Sequence, residues 1–224
     1  EVTDWVEREP FFWPQNPEIG GINWMDGTVF RRGYMNTSNI GRRAELTWWP
    51  AWSTFRDSPH LDQEAHLAML VGFLRQARLL MNPSSFAAHD DGGSHGALAL
   101  LQTALMLPEF RESAAWKKEA LRRWDEIMRI QFYPDGSHVS LSTGYNWASI
   151  MSLENLVSLA RRAQLPLEGK FLYTLEKAFE HPMALSRPDQ GQIDVNDGGW
   201  GKIQDHMQRA QVLFPDRPDF KWMA

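Results

Sequence analysis

Helix-start signals recur along this chain at a nearly constant step, and that step limits the fold more tightly than any other feature. Candidate starts fall at Asn39, Ser94, Gly144 and Gly199, about 50–55 residues apart. Two helices and two turns of ordinary length fill such a step. The spacing predicts an array of helical hairpins. It is a repeat of architecture, because residue identity hardly repeats. In such an array alternate helices point the same way, so the four starts belong at one end. Helix N-termini carry unpaired N–H groups and partial positive charge, so several on one rim would favour an anionic ligand. Arg42 in the first turn of one of them would add to that potential.

The apolar periodicity fills in the elements. A helix from Ser38 or Asn39 runs through Arg42, Leu46 and Trp49 and is disturbed at Pro50. A second over 61–81 puts Leu67, Leu70, Val71, Leu74 and Ala77 on its inner face, and Asn82-Pro83 stops it. A third opens at Ser94, read as its N-cap, and ends at Leu107-Pro108. A fourth over 109–131 turns Trp116, Trp124 and Ile127 inward and Lys117, Lys118, Arg122 and Arg123 outward. Others are expected over 144–163, 168–181 and 200–213. Only His138-Val139-Ser140-Leu141 alternates like a strand. Residues 1–37 read as an irregular N-terminal segment, with Pro10, Pro14 and Pro17 among Phe11, Phe12 and Trp13. Residues 38–224 read as the helical domain, and the fold class expected is all-α.

Composition excludes several functions. With a net charge of −5 there is no global basic field for nucleic acid. No apolar run approaches a membrane span, and the start Glu1-Val2-Thr3-Asp4-Trp5 is no signal peptide. Cysteine is absent, which removes disulfides and thiolate metal sites. The chain holds 11 Trp, whose rings fill cores and also stack on sugars. No His or carboxylate spacing is specific for a metal, and no phosphate loop, dinucleotide fingerprint or nucleophile elbow occurs.

Two residues stand out for chemistry. His95 follows Gly92-Gly93 at a helix start, where the dipole helps keep an imidazole neutral and able to accept a proton. Tyr145 follows the turn Ser142-Thr143-Gly144, and a phenol without cationic neighbours serves better as an acid than as a base. Their spacing would place both on one rim. Asn196-Asp197-Gly198-Gly199-Trp200 is a further turn on that rim.

The string from His95-Gly96 through Leu107-Pro108-Glu109-Phe110 to Ala115-Trp116 resembles the heparinase II/III-like polysaccharide lyases, a family that includes alginate and oligoalginate lyases. Gln131-Phe132-Tyr133-Pro134-Asp135-Gly136-Ser137, then Ser142-Thr143-Gly144-Tyr145, continue the likeness. So do Arg42-Arg43-Ala44 through Trp48-Trp49 and Phe55-Arg56-Asp57-Ser58-Pro59 upstream. The resemblance spans roughly residues 38–200. It implies an incomplete (α/α) toroid over 38–224, expected to be part of a longer chain, since the family usually has further helices before this region and a β-sandwich domain after it. It also implies β-elimination on uronic-acid glycans, with His95 stabilising the carboxylate or taking the C5 proton and Tyr145 protonating the leaving oxygen. The partner implied is an acidic polysaccharide or oligosaccharide, and the location periplasmic or secreted. No cofactor is expected in this chain, although a metal could sit in the sandwich. The sequence departs from the family pattern at Ser94 in place of Asn, Ser140 in place of Glu and Asn146 in place of His. Ser94, Asn146, Arg42, Asn196, Asp197 and Trp200 are therefore the expected substrate-binding residues. Rival readings are a glycan-binding toroid without turnover, an α/α-barrel glycoside hydrolase using Asp135 and Asp197, and a helical scaffold for protein partners.

Overall fold

The computed structural model describes residues 21–22, 29–30, 40–198 and 202–224. Trp200, the expected cap at Ser38 or Asn39 and most of the irregular 1–37 segment lie outside the described residues. Within that segment a two-residue antiparallel pair forms, β1 (Gly21–Ile22) with β2 (Val29–Phe30). The rest is helical. The chain divides into two compact units, Glu1–Trp124 and Asp125–Ala224.

The first unit begins with α1, over 40–55. It is π-helical across Ala44–Trp48 and α-helical again over Trp49–Phe55. Pro50 explains the change of pitch. Proline cannot donate to the previous turn and crowds its carbonyl, and one wide turn absorbs the conflict without ending the helix. The Trp49 N–H reaches back five residues to the Ala44 carbonyl. The expected disturbance is thus a local widening.

Helix α2 (Gln63–Leu80) is capped by Asp62, whose carboxylate accepts from the Ala65 N–H at 2.8 Å. Its buried face is Ala65, Met69, Gly72, Phe73, Gln76, Ala77 and Leu80. Leu67, expected inside, is 60% exposed. The inner face is set by aromatic packing: Phe73 stacks on Trp49 with centroids 4.2 Å apart and meets Trp48 edge-on at 5.7 Å. Helix α3 (Asp91–Met106) opens earlier than expected and Ser94 is not its cap. Asp90 is, accepting from the Gly92 N–H. Helix α4 (Ser113–Gln131) crosses the division between the units. Trp116, Trp124 and Ile127 are buried as their spacing predicts. Arg123, expected outside, is buried, with its Nε–H on Glu119 at 2.8 Å and its guanidinium over the Phe86 ring.

The second unit contains α5 (Thr143–Arg162), α6 (Gly169–Ala184), α7 (Ile203–Leu213) and α8 (Pro218–Met223). Helices α5 and α6 pack as a hairpin, α6 also meets α7, and α7 pairs with α8. Residues 138–141 form no strand. His138 makes a single bridge to Phe132, and Leu141 takes a left-handed φ of 51° that ends any extension. The turn before it docks on α6. Gly136 has φ 85°, and a Cβ there would lie 2.0 Å from the Lys177 carbonyl oxygen, so only glycine fits. Helix α8 carries no strong sequence signal, being six residues opened by a proline.

Candidate functional site

In the first unit the chemistry gathers where α1 touches α3. The backbones are nearly in contact: a Cβ on Gly41 would sit 2.6 Å from the Gly96 nitrogen and 2.8 Å from the His95 carbonyl carbon. Gly41 permits this approach, whereas a Cβ on Gly96 would meet only the Leu80 side chain, at an ordinary 3.4 Å. It brings the Glu45 carboxylate, from the π-helical turn, to His95. His95 Nδ1 lies 2.6 Å from Glu45 Oε2, with side chains 18% and 7% exposed. An ionised carboxylate only accepts, so Nδ1 carries the proton and donates. That assignment leaves Nε2 as the working nitrogen, a lone pair when the ring is neutral and an N–H when it is charged. The contact that orients the ring thus comes from a carboxylate fifty residues upstream.

Arg42 is ion-paired with Asp91 in the first turn of α3 and is half-exposed. Asp90 and Asp91 also answer the positive end of α3. The expected anion-favouring field at this N-terminus is therefore met from within the chain. Ser94 is buried at 2% exposure.

In the second unit the opening of α5 is clamped. Ser142 caps it, accepting from the Tyr145 N–H at 3.3 Å. The segment 195–197 takes up the other orphan donors. Thr143 N–H donates to the Val195 carbonyl, and Gly144 N–H and Ser142 Oγ–H both donate to the Asp197 carbonyl. Asn196, at φ 52°, donates its side-chain amide to the Leu141 carbonyl at 2.8 Å. The first turn of α5 thus has no N–H left for an anion, which corrects the expectation of an open N-terminus at this helix. Asn196 and the Asp197 backbone serve this clamp. Tyr145 projects from it, 43% exposed, and among the described residues its hydroxyl has no hydrogen-bond partner. The neighbouring Asn146 turns the other way and is 2% exposed.

Asp135, a carboxylate of the hydrolase reading, accepts from the Ser137 N–H at 2.9 Å and from its hydroxyl at 2.6 Å. These bonds hold its pKa below the ordinary carboxylate range, the opposite of what a general acid needs. Among the described residues no group of three His, Asp or Glu is placed to hold a metal ion, and no helix is long and apolar enough to cross a membrane.

Comparison with known proteins turns this geometry into a family assignment. The model of the family described as Heparinase II/III N-terminus matches residues 2–222. The chain belongs to the heparinase II/III family. A heparin-sulfate lyase of Bacteroides stercoris is 24% identical over all of this chain and 34% of its own length. One of Bacteroides thetaiotaomicron is 23% identical over 98% of this chain and 31% of its own. Among solved structures, a heparinase III superposes with a TM-score of 0.75 at 22% identity, covering 98% of this chain and 33% of that one. The heparan sulfate lyase HepC of Pedobacter heparinus gives 0.69 at 21%, covering 100% and 34%. This heparinase II/III chain therefore has the all-α fold of helical hairpins that makes up an incomplete toroid, and it spans about a third of the length of the relatives it matches. Sequence reasoning missed Glu45, which sits at a helical position with no motif around it. Gly41, a glycine inside a helix, was the available signal for the close approach.

Proposed function

We propose that this chain is the toroid portion of a polysaccharide lyase that cleaves an acidic, uronate-containing glycan by β-elimination. The match along residues 2–222 carries this reading. Relatives named heparin-sulfate lyases point to a glycosaminoglycan as the substrate class, and a polymer of that size supports a periplasmic or secreted location.

The reaction needs three things. The C6 carboxylate must be stabilised so that the C5 proton becomes acidic, a base must take that proton, and an acid must protonate the glycosidic oxygen as the C4–O bond breaks. His95 is assigned the first or second task; its contact with Glu45, which would fix the tautomer and support an imidazolium, favours that role. Tyr145 suits the third. It is exposed and its backbone is held by Ser142, which turns the phenol hydroxyl outward where a glycosidic oxygen can meet it. Arg42 is half-exposed and is held by Asp91, so a substrate carboxylate binds it only by competing with that ion pair.

A glycan-binding toroid without turnover is the second reading. It is favoured by the burial of Ser94 and Asn146, which leaves neither to touch a polymer. The test incubates the chain, alone and within any longer polypeptide that carries it, with heparan sulfate, heparin, alginate and hyaluronan. Unsaturated uronate product is followed by ultraviolet absorbance. Product that disappears in Tyr145→Phe supports the lyase. Binding without product from every form supports the second reading.

A further inference from the structure

On the surface of the second unit, one groove joins exposed aromatic rings to an uncommitted positive charge. It has a volume of about 350 Å³ and lies between the end of α4, the turn that follows it and one face of α6. That size falls in the range of small-molecule sites, about 300–1,000 Å³. Tyr133 and Tyr173 line it, 46% and 58% exposed. Among the described residues neither phenol hydroxyl has a hydrogen-bond partner. Arg129, in the last turn of α4, lines the same groove and is exposed. Among the described residues its guanidinium makes no ion pair or hydrogen bond. Asp125, one turn earlier on that helix, does not neutralise it, because Lys170 holds that carboxylate. Lys177 also lines the groove, but its Nζ is committed to Glu180 at 2.6 Å. No Asp or Glu is among the residues that line the groove.

We propose that this groove is a second glycan site, binding one sugar unit that bears a carboxylate or sulfate, with the acidic group on Arg129 and the ring against Tyr133 and Tyr173. A guanidinium pairs with such an oxyanion through two parallel N–H bonds. Tyrosine rings offer an apolar face to the sugar ring and a hydroxyl to its edge. The Thr174 hydroxyl, on the same wall, adds a donor and an acceptor for sugar hydroxyls. The proposal rests on the acidic-glycan reading above but not on turnover, since it uses neither His95 nor Tyr145. A polymer held at two points on one protein binds more tightly than at either alone.

Affinity electrophoresis tests it, through gels holding heparan sulfate, hyaluronan or the neutral hydroxyethyl cellulose. The protein carrying this chain is used with Tyr145→Phe, so that the polymer is not cut. Both acidic polymers should retard it and the neutral one should not. Adding Arg129→Ala should weaken the affinity for heparan sulfate by about tenfold, and adding Tyr173→Ala by about threefold. Both side chains are exposed, so helical content should be unchanged. Arg161→Ala, which removes another exposed cation of the same unit, should leave the affinity as it was. If Arg129→Ala also weakens binding to hyaluronan, the group on Arg129 is a carboxylate; a loss with heparan sulfate alone makes it a sulfate. No retardation by either acidic polymer in any form would fell the acidic-glycan reading and this site with it. Retardation untouched by Arg129→Ala and Tyr173→Ala, an equal loss in Arg161→Ala, or equal retardation by hydroxyethyl cellulose would overturn the second site alone.

Discussion

At the scale of single residues, the account turns on His95 and the carboxylate that holds it. Glu45 is 7% exposed and 2.6 Å from His95 Nδ1. Glu45→Gln keeps the shape but removes the charge and lets the ring adopt the wrong tautomer, so turnover should fall by about 10²-fold while KM changes little. The pH profile of kcat/KM should shift as well, which a purely structural role would not produce. Tyr145→Phe removes only an exposed hydroxyl, so the fold should be unchanged and activity should fall by about 10²–10⁴-fold. His95 and Tyr145 stood out in the sequence because each follows a turn at a helix opening. Glu45 did not, because its role depends on a contact between elements fifty residues apart. Arg123 was misread for a related reason: basic pairs usually face solvent, and here Glu119 and the Phe86 ring stabilise it inside.

At the scale of elements, two devices hold these residues in place. The first is the glycine contact between α1 and α3. Gly41→Ala puts a methyl carbon within 3 Å of the α3 backbone, which side-chain motion cannot relieve. We expect a loss of about 1–3 kcal/mol in urea unfolding, together with impaired turnover as His95 moves from Glu45. The second is the clamp on the α5 opening. Asn196→Ala removes one hydrogen bond to the Leu141 carbonyl and should cost about 1 kcal/mol. Most helix positions were legible from apolar spacing and stop signals such as Asn82-Pro83. The inner face of α2 was less so, because periodicity alone does not decide between Leu67 and Phe73. Stacking of Phe73 on Trp49 decides it. The π-helical turn before Pro50 was visible only as a disturbance, since sequence marks where a helix is strained without fixing how the strain is absorbed.

At the scale of the whole molecule, charge and burial set the response to conditions. His138 and His206 are both held to about 4, His138 by burial and His206 by burial and then Arg209. Their folded pKa lies below the unfolded value of about 6.5, so the unfolded chain binds more protons in acid. Stability should be full above about pH 6.5 and fall progressively toward pH 4, read as a falling Tm across that window. A net charge of −5 opposes an acidic polymer at long range, so capture must rest on local cations such as Arg42 and weaken with salt. The central claim is cleavage of a uronate glycan by proton transfer through His95 and Tyr145. Release of unsaturated uronate from heparan sulfate, followed by ultraviolet absorbance for the protein carrying this chain, tests it most directly. The account predicts product from the wild type, and its loss in both His95→Gln and Tyr145→Phe with helical content unchanged. Product formed as fast by those two variants as by the wild type would contradict it.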